Sequence, residues 1–144
     1  MTNEEKELLI KDLCEKLPYK VKIHIDSKFL KERGWDIQTL LGIDFSLKMV
    51  IAEHNLYSPE KIKPYLRSLS SMTEEERAEM GRAIQKDRIE PYGEIKNFGE
   101  DNLLLCTIRQ STNLQDWLNA HYFDYHGLIE KDLALEAPKN MYKF

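Results

Sequence analysis

Apolar side chains near the N-terminus recur three to five residues apart. Leu8, Leu9, Leu13 and Leu17, with Asp12 and Lys16 interleaved, form one stripe on a helix. Thr2 stands three residues before Glu5, the spacing of a capping box, and Pro18 forbids continuation, so the helix is expected over about residues 3–17. The period then changes to two. Tyr19, Val21, Ile23 and Ile25 alternate with Lys20, Lys22, His24 and Asp26, which predicts a half-buried strand over 19–26. Residues 27–34 are polar, end in Arg33-Gly34 and read as a connection. A second strand is expected over 35–45, bent or bulged at Gly42, and a third over 47–53. Three consecutive strands make a meander.

Ser58-Pro59-Glu60 opens a helical turn that Pro64 limits, so residues 61–66 are expected as a short helix or 3₁₀ segment. Thr73 to Glu76 is a second capping box, opening a helix to about Lys86. Pro91, Gly93 and Gly99 mark about 88–102 as a loop and the most mobile segment, and Leu103 to Arg109 reads as a fourth strand. Thr112 and Gln115 form a third capping box, and Leu114, Trp117, Leu118 and His121 share one face of a helix over 113–121. Leu128 to Ala137 is compatible with a short helix or an extended pair. The expectation is a single α+β domain over 1–144, with a small antiparallel sheet and N-terminal, middle and C-terminal helices packed on it.

Composition narrows the function classes. At 144 residues, 42% apolar and 32% charged, the chain is long enough for one core without disulfide or metal staples. The net charge of −4 offers no global attraction to nucleic acid or anionic lipid. Residues 21–70 are the only net-basic part, with eight basic against six acidic side chains. A nucleic-acid module working through Lys20, Lys22, Lys28, Lys31 and Lys48 therefore ranks last. Cys14 and Cys106 read as free buried thiols in a reducing compartment, and the polar, acidic N-terminus is unlike a secretory signal, so a cytoplasmic location is expected. No stretch is apolar enough to span a membrane.

The six glycines are isolated, so no phosphate-cradling loop is present. C-x-x-C, H-E-x-x-H and G-x-S-x-G motifs are also missing, and no cofactor is expected. Reactive side chains concentrate in residues 117–127. His121, Asp124 and His126 offer two imidazoles and a carboxylate in six residues, a donor set for zinc, iron or manganese that needs a further ligand such as His24, His54 or Glu130. Alternatively, His121 serves as a general base oriented by Asp124. Against both, His121 continues a core stripe, which favours packing over chemistry. The same window holds Trp117, Asn119, Tyr122, Phe123 and Tyr125, a mixture that binding surfaces use as anchors. Four aromatics in nine residues cannot all point inward from one helix end.

The opening M-T-N-E-E-K-E-L-L-I-K-D-L-C-E-K-L-P-Y, the central I-K-P-Y-L-R-S-L-S-S-M-T-E-E-E and the closing D-W-L-N-A-H-Y-F-D-Y-H-G-L-I-E-K-D-L-A-L-E-A-P carry a resemblance. The chain resembles a family of short uncharacterised proteins found in gut bacteria, their phages and integrated elements. That resemblance implies a mobile-element origin and leaves the function open. The leading expectation is a non-enzymatic accessory protein that binds a protein partner or a second copy through Trp117, Asn119, Tyr122 and Tyr125. The alternative is a small metal-assisted hydrolase using His121, Asp124 and His126.

Overall fold

A computed structural model describes the backbone of residues 1–86 and 112–142, with side chains for 1–83 and 112–142. The expected loop over 88–102, the expected strand over 103–109 and Cys106 lie outside the described residues. The α+β class is as expected, with four helices and one six-stranded, mostly antiparallel sheet among the described residues. The chain divides into two compact units. The first comprises residues 1–66 with the segment that begins at His126, and the second comprises residues between Arg67 and Tyr125.

In the first unit, α1 (Asn3–Lys16) starts at the expected capping box. The Glu5 amide donates to Thr2 Oγ1 at 3.1 Å, and the Thr2 amide donates back to Glu5 Oε1 at 2.9 Å. Strands β1 (Lys22–Ile25), β2 (Ile37–Asp44), β3 (Met49–Ala52) and β4 (Leu56–Tyr57) follow as an antiparallel meander. The register slips between Leu40 and Gly42, which is the irregularity that Gly42 predicted. Cross-strand partners share a face. Ile23 stands opposite Gln38 on one side and Pro64 on the other, and Ile25 stands opposite Ile62, so these side chains form the buried face. Leu9 and Leu13 of α1 are equally buried, and α1 packs against β2. The opposite face carries Lys22, His24, Ile37 and Thr39.

Two expectations are corrected in this unit. The polar connection over 27–34 holds a short helix, α2 (Lys28–Glu32), capped by the Ser27 hydroxyl on the Leu30 amide. Residues 62–66 are not helical but form strand β5 (Ile62–Leu66), and the expected helical opening is only the 3₁₀ turn Pro59–Lys61 before it. Pro64 is tolerated in β5 because it precedes the rungs that Tyr65 and Leu66 make with β6 (Leu135–Glu136), leaving one side of the strand open there. On the other side Pro64 stands opposite Ile23 of β1. The next rung is completed by a side chain: the Lys22 amide donates to the Tyr142 hydroxyl at 2.9 Å, which donates to the Tyr65 carbonyl at 2.7 Å. The sheet order is β4-β3-β2-β1-β5-β6, with only β5 and β6 parallel.

The second unit contains α3 (Glu74–Lys86) and α4 (Thr112–Ala120). Met72, Met80, Leu114, Leu118, Phe123 and Tyr125 form its core. The expected box at the start of α3 is present, with the Thr73 amide donating to Glu76 Oε1 and the Glu76 amide donating to Thr73 Oγ1, both at 3.1 Å. Glu76 also receives both guanidinium nitrogens of Arg67, at 2.9 and 2.7 Å. Burial pushes the Glu76 pKa up, but the bonds from Arg67 and Thr73 outweigh it and hold the carboxyl below its ordinary value. A group whose pKa is depressed by folding stabilises above its unfolded value and loses that contribution as pH falls through the folded value. Glu76→Gln is therefore expected to lower the thermal midpoint at pH 7, with the gap to wild type closing as the pH drops below about 4.3. Circular dichroism melts across that range check it; a gap independent of pH would remove the ion pair from the account.

Candidate functional site

The aromatic window that the sequence singled out is largely interior. Helix α4 ends in a Schellman motif: the Phe123 amide donates to the Leu118 carbonyl at 3.0 Å and the Tyr122 amide to the Asn119 carbonyl at 3.1 Å. Tyr122 takes the left-handed position at φ 61°, where glycine is usual. This reversal turns Phe123 into the core, where its ring stacks on Trp117 at 5.8 Å and lies under the Arg67 guanidinium at 4.3 Å. Asn119, 4% exposed, donates to the hydroxyl of Tyr125, 8% exposed, at 2.9 Å. Asn119 and Tyr125, expected as contact residues, are thus buried inside the unit rather than presented at its surface. Trp117 and Tyr122 are half-buried, and the Trp117 indole donates to Glu79 at 3.3 Å.

The histidines and Asp124 are each placed in local structure. His121 stacks on Trp117 at 4.2 Å. Its Nδ1 lies 2.8 Å from the Trp117 carbonyl; a carbonyl only accepts, so Nδ1 carries the hydrogen and Nε2 is left toward Glu79 at 3.8 Å. Asp124 is buried, and its amide donates to the Arg67 carbonyl at 2.9 Å. His126 belongs to the first unit and bonds Glu15 through Nε2 at 3.1 Å. Among the other ligands considered, His24 faces Asp36 at 3.4 Å and His54 stacks on Trp35. Glu130 is exposed. Among the described residues no group of three or more His, Cys, Asp or Glu side chains is placed to hold a metal ion.

The five lysines do not gather at one place. Lys28 and Lys31 lie on α2, before the Ile37 end of β2, and Lys48 lies in the turn after its Asp44 end. Eight strand residues separate those ends by roughly 25 Å. Lys22 donates to Thr39 Oγ1 at 2.7 Å, and Lys20 takes the left-handed cap position of the 3₁₀ turn Leu17–Tyr19.

The exposed aromatics are elsewhere. Phe29, Trp35, Ile37, Leu41, Phe45, Leu47 and Leu56 all lie on or beside α2 and β2–β4 of the first unit. Helix α2 ends in its own Schellman motif, with Gly34 at φ 72°, its amide donating to the Lys31 carbonyl and the Trp35 amide to the Leu30 carbonyl. That reversal presents Trp35, 44% exposed, stacked on His54 at 5.1 Å. The Arg33 guanidinium sits 3.9 Å over the ring of Phe29, 57% exposed, and 5.9 Å from Trp35. Phe29, Arg33, Trp35 and His54 thus form a chain of planar groups open to solvent. Sequence reasoning passed over it because 27–34 reads as polar. The signal was Ser27 as a cap on a helix so short that Leu30 is its only buried residue, leaving Phe29 outside.

No helix among the described residues is long and apolar enough to cross a membrane. Comparisons of the chain with protein-family models, with curated proteins and with solved structures return no match.

Proposed function

We propose that this protein is a non-enzymatic interaction module that binds protein through the α2 and β2–β4 region of its first unit. It acts in the cytoplasm as an accessory of the mobile-element type that its sequence resembles. The observation that supports this reading is the exposed chain Phe29, Arg33, Trp35 and His54 beside further exposed apolar side chains. An exposed apolar patch of this kind costs solubility, and in soluble proteins such patches concentrate at contact sites. Aromatic rings and arginine are also the side chains that dominate interface energetics.

A photo-cross-linking residue tests it in living cells. p-Benzoylphenylalanine replacing Trp35 is expected to give protein adducts on irradiation, whereas the same residue replacing the exposed Glu7 of α1 gives none. Equal yields from the two positions would overturn the reading.

A further inference from the structure

Resting on that reading, we infer that the occupant of the exposed face is a second copy of this chain, packed face to face about a two-fold axis. Charge balance is the first argument. Residues 26–36 carry three cations, Lys28, Lys31 and Arg33, and three carboxylates, Asp26, Glu32 and Asp36. Among the described residues only Asp36 of these six is in an ion pair, with His24. A patch of one sign would repel its own copy and attract an opposite partner. A patch with unpaired charges of both signs is complementary to itself, because a two-fold axis sets the cations of one copy against the carboxylates of the other. The same balance argues against a polyanion: the phosphates of a nucleic acid would meet as many carboxylates as cations.

Area is the second argument. Summed over Phe29, Trp35, Phe45 and the exposed aliphatic side chains of α2 and β2–β4, the exposed apolar area is on the order of 700 Å², near the 800 Å² or so that each partner gives to a standard interface. The mode of packing is also constrained. The edge strand β4 is two residues long, its Leu56 amide is taken by the Asn55 side chain at 2.8 Å, and Pro59 follows closely. Such an edge is protected against extension of the sheet, so the copies meet through side chains.

Sedimentation equilibrium of the full chain tests the inference, with folding of each variant checked by circular dichroism. Wild type is expected to move from the 17.0 kDa monomer toward twice that mass as concentration rises from micromolar to near-millimolar. Leu41→Asp, at a position 57% exposed, is expected to weaken association at least tenfold. The pair Lys28→Glu and Lys31→Glu leaves one cation against five carboxylates in residues 26–36 and is expected to weaken it similarly. Adding Asp26→Lys and Glu32→Lys, which restores three of each, is expected to recover it. A monomer at every concentration, or a dimer indifferent to these changes, overturns the inference. In the cross-linking experiment, adducts at position 35 only to other proteins overturn the second copy while leaving the binding reading in place; no adducts remove both.

Discussion

Lys16→Met is expected to destabilise the first unit by about 3–5 kcal/mol, although methionine fits a helix well and the replaced residue lies in a stripe of leucines. Lys16 and Asp12 are both 0% exposed, four residues apart on α1, and the Lys16 ammonium meets Asp12 Oδ1 at 2.6 Å. Two charges taken fully out of water are tolerable only together. Removing the lysine leaves a buried carboxylate without its counter-charge, and that desolvation sets the size of the loss. Asp12→Leu alone is expected to cost a similar amount. The double variant Asp12→Leu, Lys16→Met replaces the pair by apolar side chains, so it is expected to recover most of the stability rather than add the two losses. Urea denaturation followed by far-ultraviolet circular dichroism measures all four corners of this cycle. Additive losses would show that each charge is held by its own surroundings rather than by the other.

The same helix shows what was legible in the sequence and what was not. Its limits and its capping box followed from Thr2, Glu5 and Pro18, because capping and proline sterics are local. Its buried stripe was legible too, but not that Asp12 and Lys16 enter the interior as a pair, since a charge four residues from its opposite usually sits on a wet face. The meander was readable from alternation, and its bulge from Gly42. Strand β5 was not, because the prohibition that Pro64 seemed to impose depends on which neighbours ask for its missing amide, a tertiary fact. The two-residue strands β4 and β6 are too short to show a period at all. The candidate site was missed for a related reason. Aromatic density pointed to residues 117–126, yet density says nothing about which way a chain turns after a helix.

Phe123→Ala is the second large effect expected, about 3–5 kcal/mol lost from the second unit. Phe123 and Trp35 occupy the same position in the same motif, the first residue past the left-handed one at a helix end. At α4 this position follows Leu118, which is in the core, and the chain runs on from Phe123 to the Asp124 amide bond with the Arg67 carbonyl. The Phe123 ring is fully buried between Trp117 and the Arg67 guanidinium, so alanine removes dispersion contacts on both faces and leaves a cavity that the bidentate Arg67 and Glu76 pair holds open. At α2 the equivalent Trp35 is nearly half in water, so Trp35→Ala is expected to cost less than about 1 kcal/mol of stability while weakening the association described above. Urea titration read by the fluorescence of Trp117 in a Trp35→Phe background measures the first loss, and far-ultraviolet circular dichroism of Trp35→Ala measures the second. Equal losses at the two positions would mean that Trp35 is a core residue, and the proposed contact face would lose its central side chain.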